Sequence, residues 1–336
     1  MGVNLAAVLQ PRPITFDDLR SKTLAFDAPT EIYPFLAIVR RGGGEHLTDP
    51  QGNVTSHLNG LLMKLTRLVG EVGARPIYVF DGPPSPRKRR VLDQRRAARA
   101  KAEEQRVQAL QRGDLADAWS KAVSSTRLTH AMVQDAQRLL DLLGVPWIEA
   151  PGDAEAQAAH YAAKGVAWAA ASKDFDTLLY GAPRLLRFLS FQGKEWLPSQ
   201  RRFRDVPPEI LELGAELARL GLTRAQLVEA ALLVGTDLHE GVRGYGPKKA
   251  VAALKVWSSL DAAPGAVQDA LGDWRALRDE FLAPRVVDVA PPAPRAPDPE
   301  GVVAFLVGER AFHEGRVRAA LQRLAKPKAA RLDDFR

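Results

Sequence analysis

Residues 146–181 read PWIEAPGDAEAQAAHYAAKGVAWAAASKDFDTLLYG and carry a dense group of acidic side chains. Asp153 and Glu155 open an alanine-rich helical pattern, while Asp174 and Asp176 follow a short apolar run that predicts a buried strand. Residues two apart on an extended backbone share a side, so we expect these last two carboxylates to point the same way. Two interpretations stay open at this point: helix caps and turn residues, or oxygen ligands for a hard cation such as Mg²⁺.

The same arrangement, an apolar run followed by an acid, occurs twice more near the start of the chain. The run LAF is followed by Asp27, and the run IYVF is followed by Asp81, with helical patterns between the runs. Alternation of strands and helices predicts parallel strands, whose carboxyl ends meet at one edge of the sheet. We therefore predict an α/β fold with a mostly parallel central sheet flanked by helices, and we expect these acids to converge.

The candidate cluster contains only carboxylates and no pair of histidine ligands. Its seven members are Asp27, Asp81, Asp153, Glu155, Asp174, Asp176 and Asp237. One magnesium ion rarely needs more than two carboxylates, so this number predicts two ions, some of them bound through water. Two such ions stabilise both the attacking and the leaving oxygen of a phosphoryl displacement. The cluster therefore predicts metal-dependent hydrolysis of phosphodiesters.

Composition narrows the class of protein. The 336 residues are 46% apolar and 26% charged, which is typical of a globular chain with one large domain or two small ones. A net charge of +7 favours an anionic partner, and nucleic acid fits better than an acidic membrane surface. The chain has no cysteine, which excludes disulfides, cysteine nucleophiles and cysteine-ligated zinc. It also lacks an apolar run near the ~18 residues of a membrane span, and its N-terminus lacks the basic start of a signal peptide.

The segment 83–130 is strongly basic at its beginning. From Arg87 to Arg106 it carries nine Lys or Arg residues against three acids, with few Leu or Val residues. A solvated charged helix is one interpretation. Because the segment leaves the sheet edge directly after Asp81, we favour an arch over the site that binds phosphate. A small phosphorylated metabolite would not need so extended a basic surface.

Three further patterns organise the second half of the chain. Residues 241–250, GVRGYGPKKA, place a Gly-x-Gly turn before a helix that bears Lys248 and Lys249, which offers backbone N–H groups to a phosphate. The turn lacks the Gly-Lys-Ser/Thr of a Walker A loop, and an ordinary helix–turn–helix is the alternative. Six prolines within 284–300 predict an extended crossover, and residues 301–325 predict a last amphipathic helix.

Taken together, these stretches resemble the flap endonucleases of the XPG nuclease superfamily, in their compact archaeal form. The matching stretches are LAFDA, TSHLNGLL, RPIYVFDGPPSPRKRR, EAPGDAEAQAA, AAASKDFDTLLYG, LLVGTDLHEGVRGYGPKKA and RLDDF. The resemblance implies a PIN-like 5′ nuclease fold with a helical arch and a helix–hairpin–helix DNA-binding region. The implied organisation is a single nuclease domain over 1–325, with an N-terminal region at 1–100, the arch at 83–130, an internal region at 120–260, the helix–hairpin–helix at 235–255, the proline-rich crossover at 284–300 and a clamp-interaction tail at 326–336.

The resemblance also implies roles for individual residues. The first metal ion would be bound by Asp27, Asp81, Asp153 and Glu155, and the second by Asp174, Asp176 and Asp237. Lys88 and Arg95 would contact the scissile phosphate as catalytic residues at the base of the arch. The DNA-binding positions are Tyr33, which would stack on a base, and Arg40, Lys64, Arg67, Gly244, Gly246, Lys248 and Lys249. Carbonyl groups of Gly241, Val242 and Tyr245 would hold a potassium ion, and Leu332 and Phe335 would bind the sliding clamp.

The activity implied is a structure-specific 5′ flap endonuclease with 5′ exonuclease activity, acting in Okazaki fragment maturation and base excision repair. Its cofactors would be two Mg²⁺ ions, for which Mn²⁺ substitutes, and K⁺ at the helix–hairpin–helix. Its partners would be branched DNA with a 5′ flap and the sliding clamp PCNA, with no membrane. We expect a monomer that is cytoplasmic and nucleoid-associated in an archaeon, or nuclear in a eukaryote.

Some positions depart from the family pattern. Asp153 stands where the family usually has Glu, and in the tail Ala329 and Arg336 replace a Gln and an aromatic residue. Two rivals remain: a related nuclease that prefers exonuclease, bubble or four-way substrates, and a DNA-binding scaffold without catalysis. The short spacer between Asp81 and Asp153 favours the flap enzyme, and the retention of an acid at all seven positions favours catalysis.

Overall fold

The computed structural model describes residues 2–39, 45–189, 194–197 and 202–325. The strands are β1 (Arg12–Pro13), β2 (Thr23–Asp27), β3 (Arg75–Phe80), β4 (Trp147–Glu149), β5 (Ala169–Ala171), β6 (Arg184–Arg187), β7 (Lys194–Leu197), β8 (Arg202–Asp205) and β9 (Glu209–Glu212). The helices are α1 (Ala28–Ile38), α2 (Ser56–Leu65), α3 (Pro86–Gln111), α4 (Leu115–Ser125), α5 (His130–Leu142), α6 (Ala154–Ala163), α7 (Asp176–Leu179), α8 (Leu213–Leu220), α9 (Arg224–Val234), α10 (Pro247–Trp257), α11 (Gly265–Leu271), α12 (Trp274–Leu282), α13 (Pro299–Val303) and α14 (Glu314–Ala325). None of the helices in these ranges is both long enough and apolar enough to cross a membrane.

The main sheet has the strand order β1-β9-β6-β5-β2-β3-β4. The central strands are parallel: β2 lies between β3 and β5, β3 pairs with β4, and β5 pairs with β6. Beyond β6 the sheet continues with β9 and then β1, and both of these pairings are antiparallel. The predicted α/β fold with a mostly parallel sheet is therefore confirmed, and the carboxyl ends of β2, β3, β4 and β5 share one edge.

Alternation of side chains along β2 divides the core into two layers. Leu24 and Phe26 face the largest apolar cluster, to which α1, α2, α5 and α14 contribute. Ala25 faces the other way, into a layer built with Ala158 of α6 and Ala170 of β5. Because these side chains are small, α6 packs close to the sheet, and its first turn lies at the edge where the strands end.

The basic segment forms a helical hairpin at this edge. Helix α3 begins after Ser85, whose hydroxyl accepts the N–H of Lys88 at 3.3 Å, with proline in the first turn. Gly113, with a φ of 74°, turns the chain into α4, and Ala109 and Ala118 are buried where the two helices pack. The hairpin α3–α4 is the observed form of the predicted arch.

A proline within an apolar helical pattern predicts that the helix begins near it or kinks there, but helix α1 does not begin at its proline. It begins at Ala28 and includes Pro34 in its interior. The reason is the cap: the Asp27 carboxylate accepts the N–H of Thr30 at 3.1 Å, which fixes the first turn immediately after β2. An acid of the candidate cluster thus also starts the helix that carries Tyr33.

The prediction of one amphipathic helix over 301–325 is wrong. Helix α13 continues as a π-helical turn to Glu309 and stops, and α14 starts at Glu314. Arg310 bonds the Asp135 carboxylate of α5 at 2.8 Å, and Ala311 has a φ of 54°. The chain therefore turns at this point and folds α14 back onto the core.

The proline-rich residues 284–298 cross the surface as an extended strap between α12 and α13. Gln157 of α6 bonds both backbone groups of Val287, donating to its carbonyl at 2.9 Å and accepting its N–H at 2.8 Å. Tyr161 donates to the carbonyl of Val289 at 2.9 Å. The strap is thus held along α6, the helix whose first turn enters the acidic site.

Candidate active site

Two of the acids end neighbouring parallel strands. Asp27 is the last residue of β2 and lies in register with Val79 of β3, so Asp81 stands just beyond it at the same edge. The turn after Asp81 requires glycine, because a Cβ on Gly82 would lie 1.9 Å from the carbonyl oxygen of Ala150. This close approach joins the end of β3 to the segment between β4 and α6.

That segment carries the next two acids. The Asp81 carboxylate accepts the N–H of Ala154, the first residue of α6, at 2.9 Å. Asp153 stands at the N-cap position of α6 and Glu155 in its first turn, where the helix dipole favours negative charge. The hydroxyl of Ser172, just after β5, donates to Glu155 at 2.6 Å and links the two neighbouring segments.

Asp174 and Asp176 do not follow β5 on an extended backbone as predicted. The chain bends after Ser172, whose hydroxyl accepts the N–H of Asp174 at 3.2 Å, and Asp176 begins α7. The two carboxylates still meet, since a Cβ on Gly2 would lie 3.1 Å from the carboxyl carbon of each. The N–H of Val3 donates to Asp176 at 2.8 Å, so the N-terminal segment packs against the cluster.

Asp237 comes from the hairpin between α9 and α10. The hairpin is tight, with a φ of 108° at Gly235 and 85° at Gly241, and a Cβ on Gly241 would lie 2.7 Å from the nitrogen of Gly235. Asp237 lies close enough to the other acids for its charge to raise the pKa of Asp81 and of Asp176. The most distant acid in the sequence therefore joins the same site.

The seven carboxylates interact as one electrostatic cluster. Burial is the largest cause that raises the pKa of Asp27 and of Asp176 to about 7, and the charges of Asp81 and Asp237 respectively add to it. Burial also raises the pKa of Glu155 well above its usual value, and three neighbouring carboxylates contribute. Such mutual repulsion is relieved by a cation placed among the acids.

The donor atoms of the cluster fit a hard divalent cation, because they are all oxygens. Within the described ranges, no group of three acidic or histidine side chains already stands as a ready ligand set. The acids instead bind the chain's own donors, as Asp81 does with Ala154 and Asp176 with Val3. A carboxylate has about four lone-pair sites, so these bonds leave capacity for a cation or for its water shell. The residues that could hold it are Asp27, Asp81, Asp153, Glu155, Asp174, Asp176 and Asp237.

Among the arch side chains that the structure describes, Lys88 reaches the cluster. Its Nζ donates to Oδ1 of Asp153 at 2.6 Å. Burial lowers the pKa of Lys88, but the carboxylates of Asp153 and Asp81 outweigh burial and hold that pKa above its usual range. The arch therefore places a charged ammonium group beside the acids. Arg95 lies in the same helix α3, and its side chain is outside the described part of the structure.

Tyr33 joins α1 to the arch. Its hydroxyl donates to the carbonyl of Thr126, at the end of α4, at 2.7 Å. The guanidinium carbon of Arg99 on α3 lies 5.7 Å from the centre of the Tyr33 ring, within the range of a cation–π contact. The ring thus stands between the sheet edge and the arch, and its stacking on a DNA base stays a prediction.

Lys64 is buried rather than displayed. Its side chain is 6% exposed and forms an ion pair with Glu31, and its Nζ lies 5.1 Å from the centre of the Phe26 ring. Burial lowers the pKa of Lys64, while Glu31 opposes this effect. Direct contact with a DNA phosphate would require this ion pair to open, so the predicted DNA-binding role of Lys64 stays a prediction.

The other predicted contacts lie in the π-helical turn that follows α2, on the hairpin and at the start of α10. Arg67 pairs with Glu71 at 3.4 Å, and Nζ of Lys249 lies 4.5 Å from the centre of the Tyr245 ring. The carbonyl of Val242 accepts the N–H of Tyr245 at 3.0 Å. Four more predicted residues belong to the hairpin and the start of α10: Gly241, Gly244, Gly246 and Lys248. Three others lie outside the described residues: Arg40, Leu332 and Phe335.

Sequence reasoning missed three residues that organise the acids. Tyr180 donates its hydroxyl to Oδ2 of Asp153 at 2.9 Å, and Ser172 donates to Glu155. Both residues lie within 146–181, where a hydroxyl side chain close to an acid in the sequence could have indicated such a hydrogen bond. Gly2 also packs against the acids, and nothing in the sequence joins it to residues so far along the chain.

Two regions of the chain match families already described. The XPG N-terminal domain matches residues 1–102, and the XPG I-region matches residues 144–237. The matched regions contain all seven acids, and the basic arch joins the two regions. The two matched regions together with the parallel sheet, its acidic edge and the helical arch place the chain in the XPG class of nucleases.

Curated relatives narrow the class. "Flap endonuclease 1" of Thermococcus onnurineus is 41% identical over 327 residues, which cover 97% of this chain and 95% of the relative. "Flap endonuclease 1" of Ignicoccus hospitalis is 42% identical over 335 residues, which cover 97% and 94%. The chain belongs to the flap endonuclease family.

Solved structures agree with the fold. Flap endonuclease-1 from Methanococcus jannaschii is 33% identical, covers 96% of this chain and 98% of its own, and has a TM-score of 0.74. The catalytic core of Rad2 in complex with a DNA substrate is 22% identical with a TM-score of 0.70 over 94% of this chain and 96% of that one. The second likeness concerns the fold alone, and together they confirm the predicted 5′ nuclease fold.

Proposed function

We propose that this chain hydrolyses phosphodiester bonds of branched DNA near the junction of single and double strands, with the 5′ flap as its preferred substrate. The observation that carries the proposal is the gathering of seven carboxylates at one sheet edge beside a basic helical hairpin. Removal of flaps between Okazaki fragments and in base excision repair is the role that fits this activity, and 5′ exonuclease activity on nicked ends accompanies it.

The cofactor we propose is a pair of divalent cations, Mg²⁺ or Mn²⁺, held by the seven acids. When bound, the cations would supply an activated water and stabilise charge on the leaving oxygen. GEN1, a relative in fold, has been solved in complex with product DNA and a Mg²⁺ ion. The chain's own contribution is to bring carboxylates from five separate segments to one edge of the sheet.

The arch supplies the positive charge that the acids lack. Lys88 keeps its proton beside the cluster and would exchange its bond with Asp153 for one with the scissile phosphate when DNA enters. Arg95, on the same helix, would contact the same phosphate, and Tyr33 would stack on the adjacent base. These contacts orient the strand for cleavage and neutralise charge as it develops.

The hairpin between α9 and α10 would hold the duplex. Backbone N–H groups at Gly244 and Gly246, with Lys248 and Lys249, would bind phosphates without reading bases. Carbonyl groups of Gly241, Val242 and Tyr245 would hold a K⁺ ion between the hairpin and the backbone of the DNA. Binding of this kind depends on salt and hardly on sequence.

The remaining proposals concern further DNA contacts, a protein partner and the oligomeric state. Arg40, Lys64 and Arg67 would contact DNA around the junction, and Leu332 and Phe335 in the tail would dock on the sliding clamp PCNA. We propose that the chain acts as a monomer, because a single copy contains every acid of the site.

A substrate panel tests the proposed activity. Labelled 5′ flap, nicked, bubble and four-way DNA are incubated with the full chain and Mg²⁺, and initial rates are compared. We expect the flap to be cut fastest, near its junction. A four-way or bubble substrate cut faster than the flap would favour a related nuclease of the same class instead.

Asp174→Asn tests the catalytic role of the cluster. We expect cleavage to fall by more than ~100-fold while flap affinity persists. Substitution of a residue that only orients a metal ligand already lowers metal affinity or activity about 10- to 100-fold, and Asp174→Asn changes a proposed ligand itself. The matched control is Asp269→Asn, an exposed acid on α11, which should cleave normally. Unchanged cleavage by Asp174→Asn would contradict the metal assignment and favour the scaffold.

A further inference from the structure

Asp153 is an acid of the cluster whose two carboxylate oxygens are held by side chains from two different elements of the chain. Lys88 donates to its Oδ1 at 2.6 Å, and the Tyr180 hydroxyl donates to its Oδ2 at 2.9 Å. A carboxylate that receives one donor on each oxygen cannot rotate about its last bond without breaking a hydrogen bond. The orientation of Asp153 is therefore set by its neighbours and not by its position on the helix alone.

The two donors of Asp153 differ in how firmly they are anchored. Lys88 is a flexible lysine on the arch, and the proposed function requires it to turn toward a phosphate. Tyr180 directly follows α7, and its ring packs against the buried Phe281 of α12, with 5.1 Å between ring centres. When Lys88 leaves, the Tyr180 hydroxyl is the contact that still fixes Asp153.

The short side chain of Asp153 leaves unfilled space beside it. A cavity of about 20 Å³ lies beside it, lined by Tyr180, Gly152, Ala156 and Arg285 among others. That volume is close to the room that one water or one methylene group needs. A glutamate at position 153 would extend its carboxylate by one methylene into this space. The shorter aspartate does not fill the space, so hydrogen bonds rather than packing hold its carboxylate.

We propose that Tyr180 is a positioning residue, which holds the carboxylate of the short Asp153 toward the cluster and thereby tunes cation affinity. The inference rests on the proposed function, because it takes Asp153 as one of the cation ligands. It concerns a residue outside the acidic set and assigns no bond between Tyr180 and DNA. Tyr180 acts only through Asp153.

Tyr180→Phe tests the inference, with Tyr161→Phe as the matched control. The control also removes one hydroxyl with a 2.9 Å bond, but that bond goes to the strap and not to the site. Mn²⁺ binding to the full chain is measured without DNA, from the electron paramagnetic resonance signal of free Mn²⁺. We expect Tyr180→Phe to weaken Mn²⁺ affinity about 10-fold, within the range for residues that orient a metal ligand, and Tyr161→Phe to leave it unchanged.

Three further measurements separate positioning from a loss of folding. Thermal unfolding without metal should show both variants folded, and the KM for flap DNA should stay constant while the Mg²⁺ concentration for half-maximal cleavage rises for Tyr180→Phe. Adding Asp153→Glu to Tyr180→Phe should recover Mn²⁺ affinity, because the longer side chain supplies the missing reach. Failure of this rescue, like equal Mn²⁺ affinity in wild type and Tyr180→Phe, would overturn the inference.

The inference and the proposed function fail in different ways. If the proposed function is wrong, the wild-type chain itself binds no Mn²⁺ at the cluster or does not cut the flap. If only the inference is wrong, the wild type binds Mn²⁺ and cuts, and Tyr180→Phe does so with the same metal dependence.

Discussion

Lys64 places its ammonium group inside the protein, where it pairs with Glu31 and lies over the ring of Phe26. In the sequence the same lysine looks like one more basic residue on an amphipathic helix. Its burial follows from the close packing of α1 on α2, a tertiary contact between elements that local periodicity does not report. Lys64 therefore contributes to the stability of the fold through its ion pair with Glu31.

Lys64→Met should therefore lower the free energy of unfolding by about 1–3 kcal/mol, because it leaves the partly buried carboxylate of Glu31 without its cation. Urea unfolding measures this loss. The double variant Lys64→Met/Glu31→Leu should be much nearer to wild type, and Arg67→Met, which breaks an exposed pair, should cost at most ~1 kcal/mol. If Lys64→Met kept wild-type stability and lost only flap affinity, Lys64 would be a surface DNA contact.

At the scale of elements, the strand ends were the most predictable part of the chain. Apolar runs that stop at Asp27 and Asp81 specify both the strand and the edge that it ends on, so the convergence of these acids could be expected from the sequence. The break at residues 310–313 could not, because it depends on a bond between Arg310 and Asp135 of a distant helix. Tyr180 was missed although it lies in the same stretch as its partner Asp153, because their contact depends on how α6 and α7 pack.

The strap over 284–298 is held along α6 by hydrogen bonds from several side chains, among them the buried Gln157. Gln157 satisfies both backbone groups of Val287, so Gln157→Leu leaves an N–H and a C=O without this partner. We expect a loss of about 1–3 kcal/mol in unfolding free energy, and faster proteolysis within the strap. Lys164→Ala, which removes an exposed pair with Asp288, is the control and should cost less than ~1 kcal/mol. Wild-type protease resistance in Gln157→Leu would show that other contacts hold the strap.

At the scale of the whole molecule, the acidic cluster makes stability depend on pH and on cations. The pKa values of Asp27 and Asp176 are raised to about 7 in the folded chain, against about 3.9 for an unfolded aspartate. Between these values the folded state binds more protons than the unfolded state, so stability falls as pH rises from about 4 to about 7. As the pH rises through 7, these two acids lose their protons and the repulsion among the carboxylates grows.

Binding of Mg²⁺ should restore the stability that the folded chain loses as the pH rises. We expect the rise in melting temperature on adding Mg²⁺ to be larger at pH 8 than at pH 5, because protons compete with the cation at the lower pH. Thermal unfolding at both pH values, with and without Mg²⁺, measures it. Asp27→Asn is the matched variant and should show a smaller rise at pH 8. An equal rise at both pH values would mean that Mg²⁺ binds away from these acids.

In the proposed active site, acids from distant parts of the chain share one pair of cations. An anomalous difference map of a crystal soaked in Mn²⁺ tests it most directly. We predict two peaks enclosed by the carboxylates at the carboxyl ends of β2, β3 and β5, within reach of Asp81 and Asp176. Peaks found only elsewhere, or none at a Mn²⁺ concentration that supports flap cleavage, would contradict it.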